Sequence, residues 1–231
     1  MTSKEKSTRE KILEVAARLF GEVGYHKTSI REIAKQAEVN LAAINYHFNN
    51  KENLYCEVFN RNFNWFAEAI ADIENQNPSI DVENLSWEIF MFFQNNAREL
   101  LFIHKMVLAN DVPLPESFTQ DRENILEFGP PGGEVLQRSI EREIGPNLPP
   151  FGILWAVSSI FAHIVHTAAM TNSSLIQKHC ENSPLMDKKL REFNTRHLVH
   201  SIIEYLDKNR EIWKNPPSDI QYHPKNTDNI Y

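Results

Sequence analysis

Apolar residues Ile12, Leu13, Ala16, Leu19 and Phe20 recur at the three- and four-residue spacing of one helical face, which predicts a first helix ending near Val23. Ser7 and Glu10 stand at capping-box spacing before it, and Gly24 offers a left-handed stop after it. A second stripe, Ile30, Ile33, Ala34 and Ala37, predicts a short helix from about Ser29 to Ala37, capped by Thr28 or Ser29. Ser29 and Glu32 again have capping-box spacing, so their side chains are expected to bond reciprocally. Glu38, Val39 and Asn40 leave room only for a sharp turn, with Val39 as its apolar pivot and Asn40 as N-cap of a third helix over about 41–47. Two turns cannot persist on propensity alone, so Ile44 and Phe48 are expected to be anchored inward. Leu41, Ala42, Ala43, Asn45, Tyr46 and His47 then face outward.

Beyond Lys51 the pattern stays helical. A long helix to about Asn75 carries Leu54, Val58, Phe59, Phe63, Phe66 and Ile70 before the break at NQNPS. One or two helices follow over 81–109, apolar on more than one face and therefore buried on several sides. After a DVPLPES loop, helical stretches are predicted near 118–128 and 134–144, joined by GPPGG. Pro149 opens a helix to about Met170, and Pro184 or Asp187 opens the last, with Leu190, Phe193, His197, Leu198, Ile202 and Tyr205 at helical spacing. From Asn209 the tail, with Pro216, Pro217 and Pro224, is expected to be extended. No stretch alternates at period two, and the predicted fold class is all-α.

Residues 8 to 58, with a first helix ending in FGEVGYHKTS, the REIA box, the turn and a helix running into YHF with a Lys three residues later, resemble the DNA-binding region of TetR-family transcriptional regulators. Two positions depart from the family pattern: Glu38 stands where Gly is usual, and Asn45 where Tyr is frequent, with Tyr46 one place on. The resemblance implies a three-helix head over 1–50, a helical effector-binding and dimerisation body over 51–208, and a tail over 209–231. It also implies a repressor that binds a palindromic operator on double-stranded DNA as a homodimer and is released by a small-molecule effector. Thr28, Tyr46, His47 and Lys51 match positions that hold the DNA backbone in the family. Each can donate to a phosphate oxygen, and Lys51 opens a helix whose N-terminal dipole favours anions. Leu41, Ala42, Ala43 and Asn45 would face the major groove, where Asn can read adenine and the apolar residues can touch a thymine methyl. Lys4, Lys6 and Arg9 form an arm able to reach the duplex.

Net charge is −7, which alone argues against nucleic acid, but its distribution changes that view. Residues 1–60 hold nine Lys plus Arg against eight Asp plus Glu, and residues 61–231 hold fifteen against twenty-three, so the excess acid lies in the body. Apolar residues make up 42% of the 231 residues, enough for a sizeable core. No run approaches the length of a membrane span and no apolar segment follows Met1, so the expectation is a cytoplasmic protein without membrane contact. Cys56 and Cys180 stand in no metal or redox spacing and read as reduced thiols. His163 with His166, and His197 with His200, share helical faces, but no carboxylate or thiol completes a metal set, and they read as bundle histidines; no metal or cofactor is expected. GxSxG, HExxH and a glycine-rich nucleotide loop are absent, so no catalytic residues are proposed and an enzyme is not expected. Phe63, Phe66, Trp87, Phe90 and Phe102 are the candidate effector-lining rings, with plain core packing as the alternative. A helical protein-interaction module that does not bind DNA remains the rival function.

Overall fold

The computed structural model describes residues 7–108 and 130–214, the side chains of 104–108 apart, and these residues are mostly helical with no strand among them. Lys4, Lys6, the DVPLPES loop, the stretch 118–128 and the tail from 215 lie outside the described residues. Helix α1 (Thr8–Val23) begins in a closed capping box: the Ser7 hydroxyl accepts Glu10 N–H at 3.3 Å, and the Glu10 carboxylate accepts Ser7 N–H at 3.1 Å. Gly24 ends it at φ +85°, a value L side chains rarely adopt, although ψ 167° places it outside the left-handed helical region foreseen for the stop.

Helix α2 (Ile30–Gln36) is capped by Ser29, whose hydroxyl accepts Glu32 N–H at 3.0 Å. Here the box is only half closed, because the Glu32 carboxylate accepts the Gln36 side-chain amide one turn on instead of reaching back to Ser29. In the turn that follows, Val39 N–H donates to Ala34 O at 3.0 Å and Glu38 is driven to φ +55°. A side chain with a Cβ is strained there by about 1–2 kcal/mol. Glycine would relieve that strain while adding freedom to the unfolded chain, so Glu38→Gly is expected to stabilise the protein by about 0.5–1 kcal/mol, read as a raised denaturation midpoint.

Helix α3 (Leu41–Phe48) starts at Asn40, whose side-chain carbonyl accepts Ala42 N–H at 2.9 Å. Asn49, at φ +62°, and Asn50 link it to α4 (Lys51–Gln76), where Asn50 accepts Asn53 N–H at 2.7 Å. Its 26 residues span about 39 Å. Helices α5 (Val82–Asn95) and α6 (Ala97–Leu108) form a broken pair, the break falling at Asn96. Then come α7 (Gly133–Ile144), α8 (Pro150–Thr171), the six-residue α9 (Ser174–His179), a 3-10 turn at Pro184–Met186, α10 (Lys188–Lys208) and α11 (Arg210–Lys214).

A single apolar cluster runs from α1 through the body. Tyr55 of α4 ties its two ends, its ring 4.9 Å from Phe20 of α1 and 5.7 Å from Phe102 of α6. Further along α4, Phe66 and Ile70 are fully enclosed, and Glu74 receives both Arg138 (2.8 Å) and Arg142 (3.3 Å) from α7. Because α4 contacts α1 and α3 as well as α5, α6 and α7, packing shows no gap at position 50.

Helix α8 is long and apolar enough, by length and composition, to cross a membrane. Its packing against α5, α6, α7 and α10 accounts for that apolarity in another way: it is the central helix of the body. The tail expected to be extended from Asn209 is helical over Arg210–Lys214, because Trp213 stacks on Trp155 of α8 at 5.0 Å.

Candidate nucleic-acid interface

Helix α3 presents two faces. Ile44 and Phe48 are buried at 0% and 3% exposure in the core that α1 and α2 supply through Ile12, Ala16, Ile33 and Ala34. Leu41, Ala42, Asn45, Tyr46 and His47 are exposed, Tyr46 at 82%. Ala43 is the exception: it is half-buried against the same core, so its methyl is turned from the outward face to which the pattern assigned it.

Thr28 also departs from its expected role. It is buried, its hydroxyl donates to Gly24 O at 2.8 Å and its N–H donates to Tyr25 O at 3.2 Å. Both of its donors are therefore spent inside the head, and Thr28 shapes the α1–α2 turn instead of offering a hydroxyl to phosphate. Arg9, foreseen as part of a free arm, pairs with Glu57 at 2.8 Å and lies 5.4 Å from the Phe48 ring centroid. Lys27, Arg31 and Lys35, exposed on the turn and on α2, add positive charge beside Thr28 that the apolar pattern gave no reason to single out.

Lys51 is the first residue of α4, and its ammonium sits over the Tyr25 ring, 4.1 Å from the centroid. The Tyr25 hydroxyl donates to the Glu52 carboxylate at 2.8 Å. These contacts leave a signature on all three groups. Burial, then the Glu52 carboxylate, push the Tyr25 phenol above its usual range. The Tyr25 hydroxyl holds Glu52 below the usual carboxylate range, and burial lowers Lys51 while Glu52 partly offsets it.

The aromatic residues considered for an effector lie elsewhere and pack on one another. Phe66, Phe90 and Trp87 are buried, Trp87 stacking on Phe90 at 5.0 Å and Phe66 meeting Phe93 edge-on at 5.0 Å. Phe63 is half-buried against Phe59 at 5.7 Å. Only Phe102 of this set borders a groove of about 940 Å³ between α1, α4 and α6, with Val15, Arg18, Arg61, Trp65 and Glu68. Of the remaining four, Phe66, Trp87 and Phe90 are core rings and Phe63 packs half-buried against the core. The histidine pairs are split among different partners: His163 bonds Thr195 at 3.1 Å, His200 bonds Glu83 at 2.9 Å, and His197 stacks on Phe193.

Three short helices around one small core, with the third pressed outward, define a helix-turn-helix protein. Residues 12–58 match the family model of bacterial regulatory proteins of the tetR family. It is 32% identical over 114 residues to the Probable HTH-type transcriptional regulator YttP of Bacillus subtilis, covering 48% of this chain and 55% of that one. It is 34% identical over 73 residues to IcaR of Staphylococcus epidermidis, named as the negative regulator of the biofilm operon icaADBC, covering 32% of this chain and 40% of that one. The chain thus spans about half or less of the length of these relatives. Among solved structures, a TetR family transcription regulator from Marinobacter aquaeolei superposes with a TM-score of 0.60 at 16% identity, covering 84% of this chain and 94% of that one. FadR of Bacillus subtilis in complex with stearoyl-CoA superposes with a TM-score of 0.55 at 18% identity, covering 85% and 96%. At such identities the likeness is one of fold.

Proposed function

We propose that the protein is a sequence-specific DNA-binding repressor of transcription that reads a palindromic operator as a homodimer in the cytoplasm and is released by a small apolar or aromatic effector. The observation that carries this reading is the outer face of α3, where Leu41, Ala42, Asn45, Tyr46 and His47 are exposed while Ile44 and Phe48 fix the helix from below. In the major groove, Asn45 would bond an adenine edge and Leu41 or Ala42 a thymine methyl, with Tyr46, His47 and Lys51 on the phosphates. Residues 1–50 would then serve as the head and 51–208 as the effector-binding and dimerisation body, with α4 as the lever between them.

A second copy is supported by apolar side chains left open on α8 and α10: Met170, Leu190, Phe193 and Tyr205, of which Phe193 is 63% exposed. Two heads related by a two-fold axis would meet half-sites roughly 34–36 Å apart. The effector reading draws on FadR, solved with stearoyl-CoA, and on the α1/α4/α6 groove, where Trp65 and Phe102 offer ring surface. An effector could release DNA only by its preference for the non-binding geometry, typically about 1–3 kcal/mol.

Selecting bound sequences from a random duplex pool tests the reading: a two-fold symmetric consensus is expected, and no enrichment would point to the protein-interaction module instead. With the recovered duplex, Lys51→Ala is expected to lower affinity on every sequence and to reduce the salt slope by about one unit, whereas Asn45→Ala changes the preferred base. An unaltered salt slope in Lys51→Ala would remove Lys51 from the phosphate contacts.

A further inference from the structure

Two adjacent side chains at the start of α4 carry opposite charge, and this matters if the helix end meets phosphate. Lys51 would be attracted and Glu52 repelled, both within the first turn, where the helix dipole itself favours an anion. A third residue handles both. Tyr25, from the α1–α2 turn, places its ring under the Lys51 ammonium at 4.1 Å and gives its hydroxyl to the Glu52 carboxylate at 2.8 Å. The ring is itself held against Tyr55, 4.9 Å away, and stacked on Phe20 at 6.0 Å, so its position is set by the head core.

We propose that Tyr25 is a positioning residue of the DNA-binding surface: its ring holds the Lys51 ammonium ready for a phosphate, and its hydroxyl draws the Glu52 carboxylate away from that phosphate. The inference rests on the DNA reading above and adds a residue to it that the apolar pattern alone assigns to the core. Lysine has a long, flexible stem, and a side chain already held over a ring loses less freedom when it meets its anion. Glutamate with its hydroxyl partner removed is free to swing into the space the phosphate would occupy, where like charges oppose one another. Tyr25 thus works on attraction and repulsion at once.

The test is a cycle of Tyr25→Phe, Glu52→Gln and the double variant, each titrated with the duplex recovered by selection. Phenylalanine keeps the ring that packs on Phe20 and Tyr55, so the head stays folded while the hydroxyl is lost. Tyr25→Phe is expected to weaken binding roughly ten-fold or more, the lower end expected for one hydrogen bond to a charged group. Glu52→Gln alone is expected to bind at least as well as the wild type. In the double variant binding returns to the Glu52→Gln level, because no charge is left to restrain. A carbon NMR titration adds a readout that packing alone would not move: the Glu52 carboxyl, held low by Tyr25, rises toward its usual range in Tyr25→Phe. Wild-type affinity in Tyr25→Phe, or a double variant as weak as Tyr25→Phe alone, overturns the proposal. A wild-type protein that binds no selected duplex overturns the DNA reading instead, and this inference with it, whatever the NMR titration shows.

Discussion

Phe48→Ala is expected to cost about 3–5 kcal/mol of head stability, the range for truncating a buried phenylalanine. Phe48 is the last residue of an eight-residue helix, 3% exposed, and shares the inner face of α3 only with Ile44 among fully buried residues. A helix of that length has little stability of its own, so losing one of two anchors undocks it for a sizeable fraction of the time. Duplex affinity then falls with the docked fraction, and at 3 kcal/mol that loss is bounded at about a hundred-fold. Amide hydrogen exchange over 41–48 and titration with the selected duplex measure the two effects together. Tyr46→Ala is the informative contrast. At 82% exposure its removal should shift stability by no more than about 0.5 kcal/mol, so any affinity it loses comes from the surface and not from the fold. Unchanged exchange in Phe48→Ala would mean that α3 is held by something other than its apolar anchors.

The division of α3 into an inner and an outer face was legible because it depends only on helical geometry and a local apolar pair. Ile44 and Phe48 lie four residues apart on one side, and Asn45, Tyr46 and His47 fall between them on the other. The Asn40 cap and the Ser7 box were legible for the same reason, since each closes within three residues. What sequence spacing could not supply was any contact fixed by chain folding. Thr28 spends its hydroxyl on Gly24 O because the α1–α2 turn brings that carbonyl back to it. Tyr25 and Glu52, 27 residues apart, meet only once α4 crosses α1. Phe66, Trp87 and Phe90 show a different limit: helical spacing places a ring on an inward face, but a core and a cavity wall have the same spacing. Residues 210–214 are helical because Trp213 finds Trp155, which no local signal around Asn209 announces.

Helix α4, proposed above as the lever, is also packed at its far end, and there a single methyl group is expected to have a large effect. Gly132 sits at φ +80° and ψ 12° before α7, and a Cβ added to it would lie 2.8 Å from Ile70 Cδ1 and 2.9 Å from both Cβ and Cγ2 of the same residue. Ile70 is fully buried on α4, so it has little room to yield. Gly132→Ala therefore combines left-handed backbone strain of about 1–2 kcal/mol with overpacking of about 1–3 kcal/mol. For a chain of this size each kcal/mol lowers Tm by about 2–4 °C, so the variant is expected to melt roughly 5–15 °C below the wild type. Adding Ile70→Val separates the two causes. It removes Cδ1 but leaves Cβ and Cγ2, so it should recover only a small part of the loss; full recovery would mean that Cδ1 alone caused the crowding and that the backbone accepts alanine without strain. Because Arg138 and Arg142 of the same helix grip Glu74 one turn further along α4, displacing α7 also slackens that grip. Duplex affinity measured well below the lowered Tm then reports whether α7 helps to set the angle at which α4 presents the head. If affinity is unchanged in the destabilised variant, the lever is governed from α1 and α6 instead.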